Sequence, residues 1–141
     1  MPMNSYLSKL DETGNALMIY INGDLVFSSS SKGIKPHLEA IETLGKEKLN
    51  GAVMADKIVG RAAALLMLYS KPSEVYAGVI TFTAKEMLEA EGVKVFPAEI
   101  VEAVKQVDGR IYCPFESMVQ GISEPVEAYH AIVEKMHSFS S

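Results

Sequence analysis

The sequence predicts an α/β protein: a three-layer α/β/α sandwich on a mixed five-stranded sheet that begins with a β-hairpin. Apolar runs flank Asn22-Gly23-Asp24, and Asn-Gly is a strong hairpin signal because both residues tolerate positive φ. Short apolar runs then alternate with helical segments of about ten residues, a pattern typical of right-handed βαβ units. Antiparallel and parallel pairing therefore occur in one sheet.

Taken in order, the elements follow from apolar spacing and from turn residues. The hairpin is followed by a polar turn and then by a helix that Pro36 begins, with one apolar stripe at Leu38, Ile41 and Leu44. Thr83-Ala84-Lys85-Glu86 is a capping box that opens a later helix. The predicted strands are 16–21, 25–27, 52–55, 74–80 and 93–96, and the predicted helices are 36–44, 57–69, 83–91, 100–107, 114–120 and 125–137.

Composition and charge limit the classes of function. The 141 residues are predicted to form a single domain, 1–141, large enough to bury roughly 70% of the unfolded surface. A net charge of -5 provides no basic footprint for a nucleic acid polymer. Residues 1–10 lack a signal-peptide pattern, and the longest apolar run, 62–69, is too short to cross a membrane. With Cys113 as the lone cysteine, we expect a cytoplasmic protein without an internal disulfide.

The first candidate site is Asp56-Lys57, which is predicted to stand between a strand and an Ala-rich helix. Open α/β sheets bind ligands at such junctions, where helix N–H groups converge. In this interpretation Lys57 holds an anionic group, Asp56 bonds a hydroxyl or base, and Gly60 allows a close approach. The alternative is structural: Asp56 caps the helix and Lys57 is a solvated flank.

The loop that carries Lys32 and Gly33 is a second candidate, and Thr81 is a further possible lining residue of the same cleft. Gly33 fits a left-handed turn or gives a ligand room, but a solvent-exposed loop before a helix-starting proline explains the same residues.

Cys113-Pro114-Phe115-Glu116 is the third candidate. A thiol at a helix N-terminus has its thiolate favoured, so Cys113 is a candidate nucleophile and Glu116 a candidate acid or base. The alternative is that the two residues form a capping arrangement. His37, His130 and His137 are interpreted as surface residues of amphipathic helices, and we expect no metal site and no cofactor.

Four stretches together resemble a small family of uncharacterised bacterial and archaeal proteins with a cytidine-deaminase-like fold. They are Lys32-Gly33-Ile34-Lys35-Pro36, the run from Ala55 to Ala64, the run from Val75 to Ile80, and Cys113-Pro114-Phe115-Glu116. The resemblance implies that fold and places the Gly33 loop opposite Asp56 across one cleft. In that family a polar Asn-Arg-like pair is expected before an Asp-Gly turn, whereas here Gln106-Val107 precedes Asp108-Gly109.

Deaminases of this fold hold zinc through a His or Cys near one helix start and two Cys near the next, with a Glu beside the first ligand. Neither residues 28–36 nor residues 56–60 contain a His-x-Glu or a Pro-Cys-x-x-Cys. We therefore expect a zinc-free site for a small molecule: a nucleotide, a nucleoside or a ribose-phosphate compound. Two alternatives stay open: an enzyme that depends on Cys113, and an inert homodimeric interaction module in which a second subunit covers the apolar helix.

Overall fold

The computed structural model describes residues 3–102, 115 and 118–140, with side chains described for 5–102, 115 and 118–137. In this part of the chain five strands form one mixed sheet of order β2-β1-β3-β4-β5. The strands are β1 (Leu17–Ile21), β2 (Asp24–Ser29), β3 (Val53–Val59), β4 (Glu74–Thr81) and β5 (Lys94–Val101). The helices are α1 (Met3–Thr13), α2 (Lys35–Leu44), α3 (Lys46–Leu49), α4 (Arg61–Ser70), α5 (Phe82–Ala90) and α6 (Pro125–Ser140).

The predicted hairpin and the mixed sheet are confirmed. Asn22 and Gly23 have φ angles of 52° and 84°, as the tight turn between β1 and β2 requires. β1 pairs with β2 and β3 in antiparallel fashion, whereas β3, β4 and β5 are parallel. The end of β2 and the carboxyl ends of the three parallel strands therefore lie at one edge, where α2, α4 and α5 begin. We call this the carboxyl edge.

Both faces of the sheet are covered, but unequally. One face, the helical face, carries the main core, to which α2, α4, α5 and α6 contribute and in which α4 is central. The other face carries α1 over a smaller, aromatic cluster of Tyr6, Tyr20 and Tyr76, with Phe96 packed against it. We call it the α1 face. Tyr6 stacks on Tyr76 with ring centroids 4.4 Å apart, and Tyr76 stacks on Phe96 at 4.7 Å.

The apolar surface of helix α4 is covered by other helices of the same chain. It packs against α2, α3, α5 and α6 of the same chain, and eight of its ten residues are buried. The expectation of a covering partner rested on the all-apolar composition of this helix, and the chain itself supplies that cover.

Several element boundaries differ from the predicted ones. Helix α1 was not predicted, although Tyr6 and Leu10 have helical spacing. β5 runs to Val101, so the predicted helix 100–107 begins as strand, and residues 103–107 lie outside the described residues. Of the predicted helix 114–120, Phe115 and Met118 are helical in the structure. The N-cap of α5 is Thr81, two residues before the start of the predicted capping box, because the Thr81 hydroxyl accepts from the Ala84 N–H at 3.1 Å.

The most consequential difference is that β3 is longer than predicted. The strand continues through Asp56 and Lys57 to Val59, and the helix begins only at Arg61, with Gly60 as its N-cap residue. The predicted position of Asp56 at a helix start is therefore wrong. Parallel pairing with β4 continues past Asp56, through Ile58↔Val79 and Val59↔Ile80, and the second of these pairs is fully buried in the main core.

The alternation of side chains between the two faces of the sheet is interrupted near the end of β3. Lys57 and Ile58 are both exposed, and then Val59 is buried in the main core. Gly78 and Val79, beside them on β4, are both half-buried. A Cβ at Gly78 would lie 2.7 Å from the backbone oxygen of Lys57, so this close approach of the two strands requires glycine.

Candidate functional site

The carboxyl edge gathers the buried polar side chains of the described residues. The described residues include four buried polar or charged side chains: His37, Asp56, Ser70 and Thr81. Three of them, all but Ser70, lie at or near the carboxyl edge. A buried polar group is costly unless it is bonded, so this grouping makes the carboxyl edge the candidate functional site.

The centre of the edge is a pair formed by His37 and Asp56. Nε2 of His37 lies 2.6 Å from Oδ2 of Asp56, and the two residues are only 4% and 6% exposed. The other oxygen of Asp56 accepts a hydrogen bond from the backbone N–H of Ile58 at 3.3 Å. Asp56 and His37 join the first turn of α2 to the middle of β3.

Local sequence explains why the pair forms. Pro36 stands in the first turn of α2 and favours its start, so His37 lies in that first turn. His37, Ile41 and Leu44 have the spacing of one helical stripe, which faces the core. The interpretation of His37 as a surface residue is therefore wrong, and its spacing from Ile41 and Leu44 was the signal that could have placed it correctly.

A second signal for His37 was missed. His37-Leu38-Glu39 is a His-x-Glu triplet that begins one residue after the 28–36 stretch in which that motif is absent. The Glu39 carboxylate does not join the pair; it accepts from the Ser29 hydroxyl at 2.9 Å, and Ser29 Oγ in turn accepts from the Ser31 N–H. These bonds fix the end of β2 and the following loop against α2.

The structure places most of the predicted ligand-binding residues at or near the carboxyl edge. Lys32 and Gly33 lie in the exposed loop just before α2, and Gly33 has a φ of 68°. Because His37 follows four residues later and bonds Asp56, this loop and β3 meet at the same edge. Gly60 is buried in extended conformation at the start of α4, and Thr81 is buried at the end of β4.

Lys57 is the exception. Side chains alternate along a strand, so Lys57 points to the opposite face from Asp56. There it lines a groove of about 360 Å³ together with Leu10 and Asp11 of α1 and Gly78 of β4. The expectation that Asp56 and Lys57 share one hollow is therefore wrong, because it assumed a helix start where the chain is still a strand.

Cys113 and Glu116 lie outside the described residues, as do Gln106 and Val107. In the described ranges, no group of three or more His, Cys, Asp or Glu side chains is placed to hold a metal ion. No helix within those ranges is both long and apolar enough to cross a membrane.

Comparison with known proteins identifies the family. The family described as TM1506, Domain of unknown function (DUF1893), matches residues 5–136. The chain belongs to the DUF1893 family. The crystal structure of a DUF1893 family protein (TM1506) from Thermotoga maritima is similar over 94% of this chain and 88% of that one, with 30% sequence identity and a TM-score of 0.83. No curated protein matched the chain.

The match establishes the family and the fold that this chain shares with the Thermotoga maritima protein, but it assigns no function. A DUF1893 protein has the mixed α/β architecture described above, and the resemblance found in the sequence agrees with this family of unknown function. The carboxyl edge with His37 and Asp56 is thus the candidate functional site of this DUF1893 chain.

Proposed function

We propose that this DUF1893 protein binds a nucleotide, a nucleoside or a ribose-phosphate compound at the carboxyl edge of its sheet, without zinc. The observation that carries the proposal is the buried pair of His37 and Asp56. Ionisable groups inside a core contribute little to stability compared with apolar residues of the same size. Their presence at a sheet edge where ligands commonly bind favours a functional role.

The surrounding residues supply the chemistry that such a ligand needs. Helices α2 and α4 begin at this edge, and helix N-termini favour anionic groups such as phosphate. Lys32 is exposed in the adjoining loop, where its ammonium group can reach a phosphate. His37 and Asp56 offer hydrogen bonds to a hydroxyl or a base. The proposed site thus consists of Lys32, Gly33, His37, Asp56, Gly60 and Thr81, and it leaves out Lys57.

We further propose a relationship to the cytidine-deaminase fold. The order of a hairpin, a helix, a strand and a second helix supports it, and so does the His37-Leu38-Glu39 triplet in the first turn of α2. The second half of the deaminase signature, Pro-Cys-x-x-Cys, has no counterpart at the start of α4, where the residues are Gly60-Arg61-Ala62-Ala63. A carboxylate, Asp56, bonds the histidine instead.

A thermal-shift experiment with AMP, adenosine and ribose 5-phosphate tests the proposal. A ligand that binds only the native state adds about 2.7 kcal/mol of stability at a concentration of 100 times Kd. We expect at least one of the three compounds to raise the melting temperature. If none raises it at millimolar concentration, the proposed function is wrong for this class of ligand.

Two lysine variants locate the site. Lys32→Ala is expected to weaken binding of the phosphate-bearing probes by roughly tenfold, because it removes a charge-assisted contact. Lys57→Ala is the matched control, since it removes the same charge on the other face of the sheet. If Lys57→Ala weakens binding and Lys32→Ala does not, the ligand occupies the groove on the α1 face, and the carboxyl-edge site is excluded.

A further inference from the structure

The geometry of the buried pair assigns a hydrogen to one nitrogen of His37. Nε2 faces Oδ2 of Asp56 at 2.6 Å, and a carboxylate oxygen can only accept a hydrogen bond. Nε2 therefore carries the hydrogen and donates it. In the neutral imidazole this leaves Nδ1 with a lone pair, so that Nδ1 is an acceptor.

Both partners of the pair are held in place. Oδ1 of Asp56 accepts from the Ile58 N–H, which fixes the carboxylate on β3. The backbone of His37 belongs to the first turn of α2, where its N–H bonds the carbonyl of Ile34 at 3.0 Å. Asp56 thus orients His37 in the way that a buried carboxylate orients a histidine base in enzymes.

The other ring nitrogen, Nδ1, has no hydrogen-bond partner among the described residues. In the described part of the chain, Ser70 Oγ is the one fully enclosed side-chain nitrogen or oxygen without a hydrogen-bond partner. The hydrogen bond of the His37 ring uses Nε2, and Nδ1 is not a fully enclosed atom of this kind although the residue is only 4% exposed. A nearly buried ring with one unpartnered acceptor atom is the arrangement of a group that meets a ligand.

We infer that His37 Nδ1 is an oriented acceptor that recognises a hydroxyl group of a ribose-containing ligand, and that Asp56 is the residue that positions it. The inference rests on the proposed function, since it names the ligand group that the same site reads. A hydroxyl donates to Nδ1, whereas a hydrogen in its place leaves the acceptor without a partner. The site therefore distinguishes a ribose from the corresponding deoxyribose.

Carbethoxylation with diethyl pyrocarbonate, mapped by peptide mass spectrometry, tests the accessibility of Nδ1 without any ligand. The reagent acylates an unprotonated ring nitrogen, and His130, which is exposed, serves as the internal reference. We expect His37 to react within about tenfold of the rate of His130, because its lone pair is both available and reachable. If His37 reacts more than about a hundredfold more slowly, Nδ1 is enclosed and the inference is overturned, whatever the ligand.

The role of Asp56 is tested by the tautomer of His37, read from long-range ¹H–¹⁵N correlation spectra. The wild-type protein is expected to show hydrogen on Nε2. In Asp56→Asn, the side-chain NH₂ donates to Nε2 and moves the hydrogen to Nδ1. An unchanged tautomer in this variant contradicts the positioning role.

Titration calorimetry with AMP, 2′-deoxy-AMP and 3′-deoxy-AMP tests the recognised group. We expect the loss of one hydroxyl to weaken binding by roughly tenfold in the wild-type protein and by less than about twofold in His37→Gln. Equal losses in both proteins, or no loss with either analogue, overturn the inference while the proposed function stands. If AMP, adenosine and ribose 5-phosphate all fail to bind, the proposed function fails and this inference with it.

Discussion

Two neighbouring residues of β3, Asp56 and Lys57, lie on opposite faces of the sheet and differ in burial. On the helical face, Asp56 is buried and its carboxylate is bonded to His37 and to the backbone. On the α1 face, the next residue, Lys57, is exposed beside an open groove. A polar side chain in the first environment must keep its partner, whereas one in the second is solvated. The comparison shows that the face to which a charged side chain points decides whether that side chain is buried with a partner or solvated.

The aromatic cluster on the α1 face contrasts with the His37–Asp56 pair. It is built from stacked rings, and its polar tips have partners nearer the surface, such as the hydrogen bond from the Tyr76 hydroxyl to Glu74 at 2.9 Å. The helical face, in contrast, has its polar groups well inside, at the carboxyl edge. The α1 face thus provides packing, and the helical face provides both packing and the proposed site.

The largest effect is expected from breaking the buried pair on the helical face. Asp56→Ala should lower the free energy of unfolding by about 3 kcal/mol or more, because it leaves the His37 ring inside without its partner. Lys57→Ala, one residue away on the α1 face, should change it by less than about 0.5 kcal/mol. Urea denaturation followed by circular dichroism measures both.

The double variant His37→Leu with Asp56→Leu sharpens the result. Replacing a buried pair by apolar residues is often neutral, so this variant should be more stable than Asp56→Ala alone. Equal losses in the free energy of unfolding for Asp56→Ala and Lys57→Ala would contradict a buried, partnered Asp56 beside a solvated Lys57.

The second effect concerns the row where β3 and β4 approach closely. Gly78→Ala should cost about 2 kcal/mol, because the new Cβ would meet the Lys57 carbonyl oxygen at 2.7 Å. Gly121→Ala is the matched control, since nothing lies within 4 Å of its added Cβ, and it should cost less than about 0.5 kcal/mol. Two equally stable variants would contradict the close approach of the strands.

A smaller effect distinguishes the observed start of α5 from the predicted one. Thr81→Ala should lower the free energy of unfolding by about 1 kcal/mol, because Ala84 loses its capping acceptor. Thr83→Ala should be nearly neutral, since Thr83 is exposed inside the first turn. The reverse order of stabilities would favour the predicted capping box.

The last prediction concerns the α1 face and a loss of folding stability that occurs only at high pH. Burial raises the pKa of Tyr76 to about 12, with help from its hydrogen bond to Glu74 and from the nearby charges of Glu74 and Tyr6. The folded state therefore retains this proton longer than the unfolded state, so the stability it contributes is complete below about pH 10 and is lost as the pH rises toward 12. Tyr76→Phe should reduce this decline in urea denaturation measured between pH 9 and 12. An identical decline in the two proteins would contradict the raised pKa.

Much of the fold could be predicted from the sequence, because its signals are local. The Asn22-Gly23 turn and the alternation of apolar runs with helices depend on neighbouring residues, and they gave the hairpin and the mixed sheet. Helix α1 was missed although Tyr6 and Leu10 repeat at helical spacing. The end of β3 was placed too early, because the Asp56-Lys57 pair was interpreted as the junction of a strand and a helix, and tertiary pairing with β4 overrode that local pattern.

The candidate site could be predicted only in part. The Gly33 loop was expected to lie opposite Asp56; the role of His37, which follows Gly33 by four residues and bonds Asp56, was not expected. Its position on the stripe with Ile41 was visible in the sequence, but its partner was not. Asp56 is nineteen residues away, and only the packing of α2 against β3 brings the two together. The opposite directions of Asp56 and Lys57 follow from strand geometry, which could be applied only once the length of β3 was known.

The most direct test of the carboxyl-edge site is a ¹H–¹⁵N correlation spectrum of the protein recorded with increasing AMP. The amide signals of Gly33, His37 and Gly60 are predicted to shift together, while those of Gly78 and Ala98, which line the groove on the α1 face, stay in place. Shifts confined to Gly78 and Ala98, or a spectrum unchanged at millimolar AMP, would contradict the account.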